Sequence, residues 1–363
     1  MINFNPMIKE SYNVIGVMSG TSLDGIDLAH IQLTNKEGVW GCQINKAQTV
    51  AYSNAWVSRL KTAIDFNATD MWHLNEEYTA LLAGVIKSFI ADNAITGLDA
   101  VCSHGHTILH RPQDGVTLQI GNLPIIAALC GQNVVCDFRV EDVALGGQGA
   151  PLVPIGDRLL FADSNYCLNL GGFSNISFEE NNNRLAFDIC PVNTVLNFYA
   201  NQLGFDYDDG GQIAANATLI MPLLEELNNL EFYAAPYPKS LGFEFVKQTV
   251  LPLMERYNES AQNKMHTFTV HIAMQIANVI KQKGENASLL ITGGGVYNTF
   301  LINTLQGLLP QTKIVIPNDK TIQFKEALIF ALLGVLKLRG DVNVLGSVTG
   351  APVNHCAGYI YTL

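Results

Sequence analysis

The chain has 363 residues, of which 48% are hydrophobic and 15% charged, and a net charge of −11. That much apolar material can fill two cores of about 150 to 200 residues each, so a disordered chain is excluded. The acidic balance, with no run of Lys or Arg, excludes a nucleic-acid partner and an anionic membrane surface; a small anionic substrate would be met by a local Lys or Arg.

Val14 to Leu33 reads as strand, polar turn, strand. The turn holds Gly20, Thr21, Ser22, Leu23, Asp24 and Gly25, and Ile26 and Asp27 open the second strand. Gly16, Gly20 and Gly25 let backbone N–H groups approach an anion, Thr21 and Ser22 add hydroxyl donors, and Asp24 and Asp27 can hold a hydrated magnesium ion. Ordinary turns use the same residue types. A helical region follows from about 53 to 93, with Trp56, Leu60, Ile64, Leu81, Leu82, Val85, Ile86, Phe89 and Ile90 near a 3.6-residue period. Asp99 to Ser103 reads as a strand running into a His-rich loop, Leu118 to Gly121 as another strand, Ile125 to Cys130 as a helix, and Val134 to Cys136 as a strand. Leu145 to Pro151 is glycine-rich and apolar structure resumes at once, which marks a candidate active-site loop near a domain boundary.

Asn165 to Phe178 repeats the opening pattern, with Asn169, Gly171 and Gly172 at its turn. Two similar hairpins predict two similar domains. Ser288 to Thr292 reads as a strand, followed by Gly293, Gly294 and Gly295 and then by Phe300, Leu301, Leu305 and Leu308 at helical spacing. Strand, glycine turn and helix form a nucleotide-accepting arrangement. The seven cysteines include no CxxC pair and sit mostly in apolar contexts, as small core hydrophobes do in a reducing compartment. No secretory signal opens the chain, and the longest apolar stretch, Ala327 to Leu336, is too short to cross a bilayer as a helix. A soluble cytoplasmic enzyme is the expectation.

The ordered motifs Gly20-Thr21-Ser22-Leu23-Asp24-Gly25, Ser103-His104-Gly105-His106-Thr107, Leu118-Gln119-Ile120-Gly121, Asp137-Phe138-Arg139, Gly146 to Pro154, Leu168-Asn169-Leu170-Gly171-Gly172, Pro238-Lys239-Ser240 and Gly293-Gly294-Gly295 resemble those of the anhydro-N-acetylmuramic acid kinase family over nearly the full length. That family belongs to the superfamily of actin, hexokinase-like sugar kinases and heat-shock ATPases. The resemblance implies an α/β fold of two ribonuclease-H-like domains, with mixed sheets flanked by helices and an active-site cleft between them. The first domain is expected at 1–136 with about 340–363, the second at 137–339. The implied cofactors are ATP and Mg; the implied partner is a small amino sugar, with no nucleic acid and no membrane, and a homodimer is compatible with the reading.

The implied reaction converts 1,6-anhydro-N-acetylmuramic acid, ATP and water to N-acetylmuramic acid 6-phosphate and ADP, in cell-wall recycling. Asp188 matches the family's catalytic aspartate and would activate water. A helix cap or turn would use an aspartate there too. The familiar pattern Asp-Thr-Gly-Pro-Gly-Asn is kept here at Asp188, Pro191 and Asn193 but replaced at Ile189, Cys190 and Val192. Glu326 matches a glutamate near the sugar hydroxyls and is the second catalytic candidate; a solvated carboxylate at a helix start reads the same. His106 stands where many relatives have glutamine. It and His104 are expected on the sugar side, and Arg139 is the candidate to meet the lactyl carboxylate or phosphate, unless it pairs structurally with Asp137. Lys239 would meet substrate charge or fix a loop. A kinase of an ordinary sugar hydroxyl and a nucleotide-switched binding protein are the alternative functions.

Overall fold

The computed structural model describes residues 7–20 and 22–363. Thr21, expected in the first phosphate turn, lies outside the described residues. The chain divides into a first unit, 1–160 with 324–363, and a second, 161–323.

Both units build the same ladder. In the first, β1 (Ser11–Ser19), β2 (Gly25–Lys36) and β3 (Val39–Ala51) form an antiparallel meander, and β4 (Ala100–Arg111) and β6 (Val134–Cys136) add in parallel on the far side of β1, giving the order β3-β2-β1-β4-β6. Strand β5 (Val116–Ile120) folds back on the distal half of β4. In the second, β7 (Tyr166–Leu170), β8 (Phe173–Glu180) and β9 (Asn183–Pro191) are the meander, and β10 (Ser288–Thr292) and β11 (Lys313–Val315) the parallel pair, in the order β9-β8-β7-β10-β11. This is the ribonuclease-H-like order, twice. Strand β12 (Tyr359–Tyr361) returns to the first unit and pairs antiparallel with β6.

The helical region at 53–93 resolves into two helices with their own caps. Ser53 accepts from the Trp56 N–H at the start of Asn54–Thr62, and Asn67 accepts from Thr69 and Asp70 at the start of Ala68–Asp92. The second helix turns Leu74, Tyr78, Leu82, Ile86 and Phe89 into the first core, a stripe at spacings of three and four. In the second unit the helix Ala261–Lys283 does the same with Met265, Phe268, Ile272, Ile276 and Ile280.

The helix Asp319–Arg339 breaks at Phe324 (φ −115°, ψ 20°), the residue at which the chain passes from the second unit to the first. Its apolar run, Ala327 to Leu336, is buried throughout, which is why the run is apolar on every side. Gly16 in β1 admits it, because a Cβ there would stand 1.9 Å from the Ala327 carbonyl oxygen. Among the described residues no helix is long and apolar enough to cross a membrane. The unit limits differ from those expected at 136 and 340. Residues 137–160 stay with the first unit because the helix Val140–Ala144 packs near β5 and the helix Val153–Leu160 near β3. Residues 324–339 stay because the helix lies against β1 and β4: a Cβ on Gly16 would meet the Ala327 carbonyl oxygen, and one on Gly334 would meet the Cys102 sulfur.

Strand β4 also corrects the expected His-rich loop: it continues to Arg111, held by β1 and β5, so His104, His106 and His110 are strand residues. Five of the cysteines, at 102, 130, 136, 167 and 190, are buried; Cys42 is exposed on the edge strand β3.

Candidate functional site

In the first unit the candidate residues lie around the end of β1 and the middle of β4, where the pairing of the two strands stops at Ser19 and His106. Leu23 adopts φ +63° and donates its N–H to the Gly20 carbonyl, which leaves Ser22 and Asp24 exposed on the turn. Gly25 and Ile26 lie inside β2, and the Ile26 side chain belongs to the core. Asp27 is half-buried and accepts from Thr49 Oγ1 at 2.6 Å. Burial raises its pKa, the Thr49 bond opposes this, and the nearby Asp24 charge adds to the rise. A half-buried Asp27 with the Asp24 charge nearby suits a hydrated magnesium ion, which needs one or two carboxylates besides water and phosphate. Among the described residues no group of three His, Cys, Asp or Glu side chains gathers to cage a metal directly.

Arg139 does not pair with Asp137. Its Nε donates to His104 Nε2 at 2.8 Å and its Nη1 to the Gly149 carbonyl at 2.6 Å. Both acceptors are neutral, and among the described residues the guanidinium has no carboxylate within ion-pair distance. Burial lowers its pKa to about 10, with Glu326 and Asp142 pulling the other way, so it stays charged at neutral pH. The Gly149 end of the glycine-rich loop is fixed in turn by buried Asp142, whose Oδ2 accepts from Gly149 N at 2.6 Å and whose Oδ1 accepts from Thr349 Oγ1 at 2.8 Å.

His104 is expected on the sugar side, yet both of its ring nitrogens are used internally. The Gly105 carbonyl can only accept from Nδ1, at 3.0 Å, and Arg139 can only donate to Nε2. The ring is therefore the neutral Nδ1–H tautomer, and burial holds its pKa well below the usual value. It packs 4.6 Å from the Phe330 ring. Its Nε2 holds Arg139 in place by accepting from the guanidinium. His106, two residues on, instead bonds Ser19 Oγ through Nδ1 at 2.8 Å.

Glu326 keeps access to water, although the protein around it strips enough hydration to raise its carboxyl pKa. The Arg139 charge opposes that rise and the Asp27 charge adds to it. Arg139→Met is therefore expected to push the Glu326 pKa higher still, visible as a shift of its carboxyl infrared band to protonated form at higher pH than in the unaltered protein.

In the second unit the turns after β7 and β10 come together. Because β10 runs parallel to β7, Gly293 follows its strand beside Asn169 and Leu170. A Cβ on Gly293 would meet Asn169 Oδ1 at 2.6 Å and the Leu170 carbonyl oxygen at 2.7 Å. Gly294 lies by the Asn193 amide, and Gly295 packs on Leu170. The Gly172 carbonyl accepts from Val192 N and Thr194 N, and the Gly171 carbonyl from Asn193 N. The carbonyls of this turn thus cap the helix Asn193–Gln202.

Asp188 is neither a helix cap nor a turn residue. It lies within β9 opposite Asn175 of β8, which itself faces Asn169 of β7, so one rung runs Asn169, Asn175, Asp188 across three strands. Paired residues share a face of the sheet, which puts these three on one surface, with Asn175 exposed. Asn175 carried no motif in the sequence; strand register alone reveals it. A bulge between Ser174 and Asn175 leaves Ile189 as the extra residue on β9, a device that re-aims neighbouring side chains. Ile189, Cys190 and Val192, the three departures from the family pattern, are all buried in the second core. They face packing rather than solvent.

The segment after Pro238 clamps Asp188. Its N–H donates to the Lys239 carbonyl at 2.9 Å and its Oδ2 accepts from Leu241 N at 2.8 Å. Burial raises its pKa, with the Leu241 bond opposing. Lys239 fixes this segment: its ammonium donates to the Phe232 and Tyr233 carbonyls at 2.8 and 3.3 Å. Tyr233 is anchored through its hydroxyl to buried His271 at 2.9 Å.

Two ribonuclease-H-like units, each with a glycine-bearing turn after its first strand, define the class that holds actin, the hexokinase-like sugar kinases and the heat-shock ATPases. The family model for anhydro-N-acetylmuramic acid kinase matches residues 12–363. Among relatives, the anhydro-N-acetylmuramic acid kinase of Francisella tularensis subsp. novicida is 32% identical, over 95% of this chain and 97% of the relative. Those of Saccharophagus degradans and Aliivibrio fischeri are each 34% identical, over 96% of this chain and 98% of the relative. The chain belongs to the anhydro-N-acetylmuramic acid kinase family, and is an enzyme of the sugar-kinase class.

Proposed function

We propose that the chain hydrolytically opens 1,6-anhydro-N-acetylmuramic acid and phosphorylates its 6-oxygen with ATP, giving N-acetylmuramic acid 6-phosphate and ADP, in cytoplasmic recycling of cell-wall sugar. The observation that carries this reading is the placement of Asp188. One oxygen is tied to Leu241 N–H, the other accepts no hydrogen bond from the described residues, and burial raises the carboxyl toward the pH at which it can both hold and release a proton. A water on the free oxygen would lose its proton to Asp188 as its oxygen bonds to the anomeric carbon. The bond from that carbon to the 6-oxygen breaks, and the freed oxygen takes the γ-phosphoryl group as ADP leaves.

In the second unit Asn169, Gly171, Gly172 and Gly293 to Gly295 are the candidate nucleotide contacts; in the first unit the turn at Gly20 to Gly25 is a candidate phosphate turn. Asp24 and Asp27 would hold magnesium through water, which when bound offsets charge on the phosphates. Arg139, charged and without an ion pair among the described residues, suits the lactyl carboxylate. Glu326 would accept from a sugar hydroxyl.

Incubation with ATP, magnesium and the anhydro sugar in heavy-oxygen water tests the reading. A sugar 6-phosphate carrying solvent oxygen at the anomeric carbon supports it by mass spectrometry. Phosphorylation without solvent oxygen would instead identify a kinase of an ordinary hydroxyl.

A further inference from the structure

Residues 235–242 belong to no helix or strand, yet two of their backbone groups grip Asp188, at Lys239 and Leu241. The start of this segment is set by the Tyr237 ring, stacked 4.8 Å from that of Phe187 with the planes 11° apart. Its middle hangs on Lys239. The ammonium lies 4.6 Å from the centre of the Phe232 ring, besides donating to the Phe232 and Tyr233 carbonyls. A carboxylate turns about its last torsion with little resistance, so the Leu241 N–H is what selects one orientation of Asp188, and the selection is only as firm as the segment that carries it.

From Tyr233 the tie continues into the second core. The Tyr233 hydroxyl meets His271 Nε2 at 2.9 Å, His271 Nδ1 meets Asn228 Oδ1 at 2.7 Å, and Gln275 Nε2 donates to the same oxygen at 2.8 Å. His271 is fully buried and Gln275 is 6% exposed. The Asn228 amide nitrogen stands 3.6 Å from the Met274 sulfur. Turned the other way, the amide would set its carbonyl against a thioether that has no hydrogen to give. Asn228 Oδ1 therefore accepts from His271, whose ring proton sits on Nδ1, and burial, which lowers the His271 pKa to about 3, keeps the ring neutral. Nε2 is bare, and Tyr233 donates to it. Asn228 ends the helix Met221–Asn228 and His271 lies on the helix Ala261–Lys283, two helices packed on one another.

We propose that His271 and Tyr233 are positioning residues for Asp188: they tie the carbonyls that seat Lys239 to the two packed helices, and so hold the Leu241 N–H on Oδ2 while the other carboxylate oxygen stays open to water. Lys239 then serves as the fastening of the segment and not as a contact for substrate charge. That the open oxygen activates water rests on the function proposed above; the tie does not.

The test reads the hydrogen bond and the turnover, both on the full chain. With nitrogen-15 leucine, the Leu241 amide signal, identified by its loss in Leu241→Met, is expected to move as Asp188 ionises and to stay still in Asp188→Asn. Lys239→Met and Tyr233→Phe should each shrink that movement. Lys239→Arg, whose guanidinium can donate to both carbonyls, should restore it. In turnover of the anhydro sugar, Lys239→Met should lower kcat about thirtyfold and Tyr233→Phe about fivefold, with KM changed by less than about twofold in each. A Leu241 signal that moves as far in both variants as in the unaltered protein overturns the tie. A response confined to Lys239→Met overturns the part of Tyr233 and His271, and a raised KM with kcat kept would make Lys239 a contact for substrate charge instead. Tyr233→Phe removes one hydroxyl, no charge and none of the ring, so it decides the matter should Lys239→Met fail to fold. Full turnover by Asp188→Asn would sink the water-activating role, while the Leu241 signal would still decide the tie.

Discussion

Asp188→Asn is expected to lower turnover of the anhydro sugar about a thousandfold, the scale of a lost general base, and to abolish solvent-oxygen incorporation at the anomeric carbon. Its fold should not suffer. Asparagine keeps an oxygen for Leu241 N–H, and it removes a charge that the site disfavours. An acid whose pKa is raised on folding holds its proton more tightly in the folded state, so its contribution to stability is complete below the unfolded value of about 4 and is lost as pH rises through the folded value. At neutral pH the ionised Asp188 is a net cost, and the variant should melt at or above the temperature of the unaltered protein. For the same reason kcat/KM of the unaltered enzyme should fall on acidification at a pH above the ordinary carboxylate range. A melting temperature well below that of the unaltered protein would show that Asp188 is chiefly structural.

Gly293→Ala is expected to cost about 3 kcal/mol of stability in the second unit, from a methyl group forced against two oxygens in a backbone region that side chains avoid. The backbone there stands at φ 85° and ψ 163°, and the obstacles are Asn169 Oδ1 and the Leu170 carbonyl oxygen. Because Asn169 is itself a candidate nucleotide contact, ATP affinity should fall with stability, measured by calorimetry below the melting transition. Gly294→Ala is the control: its Cβ would come no nearer than 4.0 Å to the Asn193 amide nitrogen, so it should melt like the unaltered protein. Equal melting of both variants would contradict the packing argument.

What could be read from the sequence was local. The hairpins at 14–33 and 165–178 announce themselves because apolar strands flank Gly, Ser and Asp turns, and the helices between 53 and 93 because one face must be apolar. Strand β3 escapes, since an exposed edge strand such as Val39–Ala51 alternates weakly. So does the extension of β4 past Ser103, because polar His104 and His106 are strand residues only through the partners supplied by β1, β5 and Arg139. The expected limits at 136 and 340 fail to anticipate that residues 324–339 pack on Gly16, a contact more than 300 positions away. The candidate site divides the same way. Glycine turns and carboxylates show in the motifs, whereas Asn175 and the Leu241 N–H come from register and long-range contact.

The discontinuity of the first unit sets an order for the chain's synthesis. The second unit, 161–323, is continuous, and all five of its strands are available once its last residue leaves the ribosome. The first unit begins earlier and finishes later: residues 1–160 must wait for the helical residues 324–339 to lie against β1 and β4 and for β12 to pair with β6 at Val134–Cys136. A chain cut after residue 323 would therefore carry a completed second unit and a first sheet still open on the side that residues 324–339 cover, an apolar surface in need of a chaperone's shelter.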